Sequence, residues 1–170
     1  MISATEGGER VPRAGVYGFS SATLRRIMSR LGVQPDELAE SVGVSRQSVS
    51  AWLNSTTVPS APSLAAVASA LGVNVEELTP GLDEEAIQIA DLRARGGKSQ
   101  SAAAGALSIS RTSLGEFERG QRRELPDSVA DAMAELYGVS RGVVDSAWEN
   151  TRSARVRHLA ERQAARRRRS

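Results

Sequence analysis

The sequence predicts an all-α protein made of two tandem copies of one five-helix unit. Three observations carry that prediction. The chain repeats itself at an offset of 65 residues: Ser45-Arg46 falls on Ser110-Arg111, Val49 on Leu114 and Trp52 on Phe117. Apolar residues recur at three- and four-residue spacing within each copy, as one buried helix face requires. Ser, Gly and Pro interrupt those runs where helices start and stop.

The repeat needs no gap between residues 24 and 71. Leu24 meets Ile89, Ile27 meets Leu92, Ala39 meets Ala104, Val42 meets Leu107, Val44 meets Ile109, and Leu71 meets Leu136. A self-similarity of this period means two copies of one structural unit.

In the first copy, Ser20 or Ser21 caps a helix to about Leu31 that carries Leu24, Ile27 and Met28 inward, and Gly32 ends it. Pro35 suits the first turn of the next helix, with Asp36 and Glu37 near its positive end. Leu38, Ala39 and Val42 face inward, and Gly43 turns the chain in a left-handed conformation. Ser45 caps a third helix over 46–53. Ser60 caps a fourth, to Leu71, and a fifth runs over 75–78. Pro80-Gly81 marks the linker, 80–83. In the second copy Asp83 caps a helix over 84–95, and others follow at 100–106, 111–118, 126–137 and 140–149. The units are therefore expected at 20–79 and 84–149. Residues 1–19, with Arg10 and Arg13, read as a flexible arm, and 150–170 as an Arg-rich, partly helical tail.

Composition narrows the function. The chain has 170 residues, 40% of them hydrophobic and 25% charged, as suits a globular protein. No apolar run reaches the roughly 18 residues of a membrane span. The first residues have no apolar segment of a secretory leader. Cys is absent, which removes disulfides and thiolate metal sites and agrees with a cytoplasmic setting. The net charge of +2 is uneven: residues 1–150 carry 14 Arg/Lys against 19 Asp/Glu, and residues 151–170 carry 8 Arg against Glu161 alone. A basic tail on an acidic body points to a polyanionic partner.

No catalytic or metal-binding cluster is legible. His158 is the only His and stands among arginines, where it reads as a surface residue. "GGKS", 96–99, resembles the end of a phosphate-binding loop, but no strand precedes it and it reads as a helix end followed by a helix start. Glu76-Glu77 and Glu84-Glu85 fit helix first turns. No cofactor is expected.

A helix, a tight turn and a second helix set across the first form the helix-turn-helix. Ala39 or Ala104 lets the two helices approach. Val49 and Trp52, or Leu114 and Phe117, hold the second helix from behind. Its front is then left for the DNA major groove. The stretches "DELAESVGVSRQSVSAWLN", "PSAPSLAAVASALGVNVEEL" and "KSQSAAAGALSISRTSLGEFERGQRRELP" resemble the lambda-repressor/Cro-like, or XRE, helix-turn-helix family. The resemblance covers about residues 22–148.

That resemblance implies two DNA-binding units, with base-reading residues at the start and outer face of each second helix. These are Arg46, Gln47, Ser50 and Ala51 in the first unit, and Arg111, Thr112, Gly115 and Glu116 in the second. Arg suits guanine, Gln suits adenine, and Glu can accept from cytosine N4. Phosphate contacts are expected from helix ends and flanking loops. In the first unit these are Gln34, Ser48, Asn54 and Thr56. In the second they are Ser99, Gln100, Ser113, Arg119, Gln121, Arg122 and Arg123.

The two copies depart from the family pattern differently. Pro35 stands where the family usually has Gln, a position held by Gln100 in the second unit. The second unit has Ser108 for the turn glycine and Gly115 inside its reading helix. The first unit thus has the better base-reading face, and the second the better phosphate-gripping edge.

The function expected is a double-stranded DNA-binding transcriptional regulator, a repressor, acting as a monomer with two DNA-binding units or as a homodimer. Differing reading faces imply an asymmetric site. No membrane or small-molecule partner is expected. The rival reading is an adaptor or antitoxin-like partner whose second unit has lost DNA, which Glu116 and Glu118 favour modestly.

Overall fold

The computed structural model describes residues 15–168. The first unit contains α1 (Ser21–Leu31), α2 (Pro35–Val42), α3 (Arg46–Leu53), α4 (Ala61–Leu71) and α5 (Val75–Leu78). The second contains α6 (Ile89–Arg95), α7 (Gln100–Ala106), α8 (Arg111–Glu118), α9 (Asp127–Tyr137) and α10 (Arg141–Arg167). A single 3-10 turn, Glu84–Ala86, joins them. The fold is all-α, with two tandem helix-turn-helix domains.

Each unit closes over its own core. Leu24, Leu38, Val49, Leu64 and Leu78 are fully buried in the first. Ile89, Leu114, Ala130, Met133 and Val144 play that part in the second. The units also touch, because Ala94 of α6 packs into the first core. The last residues of the expected N-terminal arm are held too. Val16 is buried and its N–H donates to the Pro59 carbonyl, while the Gly18 carbonyl accepts from Gly81 N. The chain entering the first unit thus lies against the chain leaving it. Arg10 and Arg13 lie outside the described residues.

Two expectations are corrected, the helix over 84–95 and the register of the repeat. The helix expected over 84–95 is broken: Ile87 and Gln88 are extended, and Asp91 accepts from Gln88 N to start α6. Ile87 and Ile89 are both buried. Two residues apart on one helix they would point about 200° apart, so the break is what lets both reach the core. The backbone groups it frees find partners on α10. Asn150 donates to the Glu85 and Ile87 carbonyls, and the buried Thr151 hydroxyl accepts from Ile89 N. Arg95 grips Glu84 across the break with two hydrogen bonds and holds that carboxyl below its usual range.

The helix expected over 140–149 runs on through the tail, which the sequence reads as partly helical. α10 continues as one helix to Arg167, because Asn150 and Thr151 are packing residues and no Gly or Pro follows them. Arg141 fixes its start to α9 through Asp127, Asp131 and its own Asp145.

The repeat also changes register. Gly72 caps α4 and Gly138 caps α9, an offset of 66, so Leu71 corresponds to the buried Tyr137 and not to Leu136. The extra residue lies in the loop between α8 and α9, after Gly120, which still matches Ser55 at 65.

The left-handed positions are conserved in geometry although the residues alternate. Gly43 (φ 74°) matches Ser108 (φ 54°), and Ser55 (φ 57°) matches Gly120 (φ 64°). A Cβ on Gly120 would fall 2.9 Å from the Thr151 carbonyl oxygen, so α10 leaves no space there. Around Gly43 there is open space. A non-Gly residue in this region costs about 1–2 kcal/mol, partly offset by the backbone freedom that Gly loses on folding. Ser108→Gly should therefore raise unfolding stability by about 0.5–1 kcal/mol in urea titration. Gly120→Ala should lower it by about 2 kcal/mol or more, because strain and collision combine.

Candidate nucleic-acid interface

Both helix-turn-helix elements are built from the same local rules. α2 ends in the Gly43 turn, where Val44 N donates to the Ala39 carbonyl. Ala39 is buried at the crossing of α2 and α3. Ser45 then caps α3 by accepting from Ser48 N. In the second unit Ile109 N donates to the Ala104 carbonyl, and Ser110 accepts from Ser113 N. Val49 and Trp52 bury the back of α3; Leu114 and Phe117 bury the back of α8.

The fronts differ. Arg46 and Gln47 are exposed at the first turn of α3, with no hydrogen bond or ion pair among the described residues. Ser50 and Ala51 are half-buried on its flank. Gln34, Asn54 and Thr56 are exposed around the ends of α2 and α3, whereas Ser48 is half-buried and shares a hydrogen bond with the Ser45 hydroxyl. Arg25 of α1 donates to the Leu53 carbonyl and so satisfies the end of α3.

In the second unit Arg111 is held. Its Nε donates to the Gln100 amide oxygen at 3.2 Å, and the Gln100 amide nitrogen donates to Glu118 at 2.9 Å. Glu118 is almost wholly buried and accepts from Arg93 at 2.5 Å and 3.3 Å. Arg93 also donates to the Lys98 carbonyl. A relay therefore runs from the core through Glu118 and Gln100 to Arg111. The amide oxygen and nitrogen of Gln100 each have a partner within the protein.

Two further second-unit expectations are corrected. Gly115 is buried and does not face outward: the Arg119 guanidinium, one helical turn on, lies 2.8 Å from where its Cβ would stand. Glu116 and Arg122 do not stand apart as a base acceptor and a phosphate donor. Arg122 Nε donates to Glu116 at 2.7 Å, and its guanidinium lies over the Phe117 ring. A bare carboxylate near phosphates is unfavourable, and the ion pair removes that charge. Thr112, Gln121 and Arg123 are exposed; Ser99 and Ser113 are half-buried, with Ser99 capping α7 and Ser113 near Arg122.

The roles of Arg93 and Glu118 escaped sequence reading, although the repeat held the signal. Their counterparts in the first unit are Met28 and Leu53. Two positions that are apolar in the first unit carry opposite charges in the second.

This geometry, a capped helix held from behind across a tight turn, defines a helix-turn-helix protein. A helix-turn-helix family model matches residues 24–78, and a helix-turn-helix domain model matches residues 86–147. The chain is a tandem helix-turn-helix protein of the lambda-repressor/Cro-like, XRE type. Its domains place it among DNA-binding regulators. No curated protein and no solved structure gives a significant match. Among the described residues no helix is long and apolar enough to cross a membrane.

A buried ion pair is costly to break and often dispensable when replaced as a unit. Glu118→Leu alone should destabilise the protein by about 3 kcal/mol, leaving Arg93 unpaired. Adding Arg93→Met, which recreates the first unit's pair, should restore most of that loss in denaturant unfolding.

Proposed function

We propose that the protein is a sequence-specific double-stranded DNA-binding transcriptional regulator that acts as a repressor. The observation that carries this reading is the open Arg46–Gln47 pair at the capped start of α3. With Val49 and Trp52 anchored behind, these two side chains are the ones α3 presents to a major groove. Arg46 matches the two acceptors of guanine, and Gln47 the donor and acceptor of adenine. Each such pair is worth roughly 1–3 kcal/mol of discrimination.

The second unit contributes differently. With its Nε engaged by Gln100, Arg111 offers its two outer nitrogens in a set orientation. Thr112 flanks it, and Arg123, Gln121 and the N–H groups near Ser99 and Ser113 are suited to phosphates. Two unlike faces favour an asymmetric site. Half-sites of helix-turn-helix dimers lie about 34 Å apart, and one chain would fill both. Occupancy of such a site near a promoter excludes polymerase.

The adaptor reading loses its main support. Glu118 is spent on Arg93 and Gln100, and Glu116 on Arg122, so neither of the two carboxylates that favoured it stands bare.

Selection of bound sequences from a random DNA library tests the proposal. The wild-type chain should enrich one asymmetric motif. Arg46→Ala with Gln47→Ala should flatten about two adjacent positions of it. Arg123→Ala should weaken all sequences alike and reduce the salt slope by about 1. Enrichment of no motif, or equal loss of preference in both variants, would count against the proposal.

A further inference from the structure

α10 is rooted in the loop that follows the second reading helix. Arg152 Nη1 donates to the Arg122 carbonyl at 2.6 Å, and the Arg152 guanidinium lies over the Trp148 ring. Gly120 lies against the Thr151 carbonyl and the Arg155 Cβ. The helix therefore leaves the body beside Arg122 and Arg123, at the edge suited to phosphates.

One stripe of α10 changes character as it leaves. At intervals of seven and four residues stand Val144, Thr151, Arg155, Arg162 and Arg166. These intervals keep residues on one helix face. Val144 and Thr151 are buried against the second unit, Arg155 is half-buried, and Arg162 and Arg166 are exposed. The seam that is uncharged where it meets protein is thus cationic where it passes beyond it. Glu161, the sole acid after residue 150, lies on the far side with Arg157 and Arg168. Val156 and Leu159 are exposed, but they span a single turn, and a coiled coil needs apolar positions over three or four heptads.

We propose that the Arg155–Arg162–Arg166 stripe of α10 is a second DNA-binding surface, laid along the phosphate backbone just outside the site read by α8. This rests on the function proposed above and adds a one-sided, sequence-independent contact to it. From Arg155 to Arg166 the helix rises about 16 Å, close to five base-pair steps of 3.4 Å. A rigid helix fixed at its root holds those cations at one flank of the site, where a free tail would spread them over both.

The test compares two full-length double variants of equal charge change. Arg162→Gln with Arg166→Gln alters the stripe; Arg157→Gln with Arg168→Gln alters the far side. Circular dichroism checks that helix content is kept. Each phosphate contact contributes about 0.9 to the slope of log affinity against log salt. The stripe variant should lose nearly 2 from that slope, and hydroxyl-radical protection should shorten by about five base pairs on one flank. The far-side variant should lose less than 1, and the selected motif should be the same for both. Equal slopes for the two variants, or an unchanged footprint, would overturn the stripe while leaving specific binding intact. A wild-type dimer that Leu159→Glu dissociates, with the footprint unchanged, would overturn it in favour of self-association. Absence of any specific site in the wild type would overturn the functional reading itself.

Discussion

Everything in this molecule depends on holding two eight-residue helices by their backs. Helices of that length do not persist alone in water. α3 and α8 exist because Val49 with Trp52, and Leu114 with Phe117, are buried against the helices behind them. The buried alanines at the α2–α3 and α7–α8 crossings set how closely the paired helices approach. The left-handed turn residues and the Ser caps set the angle at which α3 and α8 start. Burial of one face then leaves the opposite face to chemistry.

The two copies use that scaffold with different second layers. In the first copy the positions of Arg93 and Glu118 are Met28 and Leu53, which belong to the apolar core, and Arg46 has no hydrogen bond or ion pair among the described residues. Behind Arg111 the same positions are Arg93 and Glu118, and a hydrogen-bonded relay reaches the arginine through Gln100. An unconstrained side chain must be ordered on binding, which costs about 0.5–1.5 kcal/mol. A held one has lost that freedom already. The first copy is thus adaptable at its front, and the second is organised in advance. The Glu116 charge on α8 is also balanced locally, by Arg122.

α10 ties these features together. Its first turns close the second core through Val144 and Ala147. Asn150 and Thr151 supply hydrogen bonds to the broken segment before α6, and Arg152 holds the loop after α8. One helix therefore connects the entry of the second unit to the loop that follows α8. The counterpart in the first unit, α5, is a four-residue helix with no such reach.

Periodicity, caps and the repeat were enough to place α1 to α5 and α7 to α9, because helix ends are decided by neighbours in sequence. The open Arg46–Gln47 pair was legible for the same reason: a Ser cap with apolar anchors four and seven residues on turns Arg46 and Gln47 outward. Other features were decided by residues far away in the chain. The break at Ile87–Gln88 holds because Asn150 and Thr151 meet the backbone groups it exposes. The continuation of α10 depends on Gly120 leaving space for Thr151. The placement of Gln100 requires Glu118, which requires Arg93. Local sequence thus determined which segments are helices and which helix faces could be buried. Only tertiary packing decided which polar groups would be paired, because hydrogen bonds between distant residues have no sequence period.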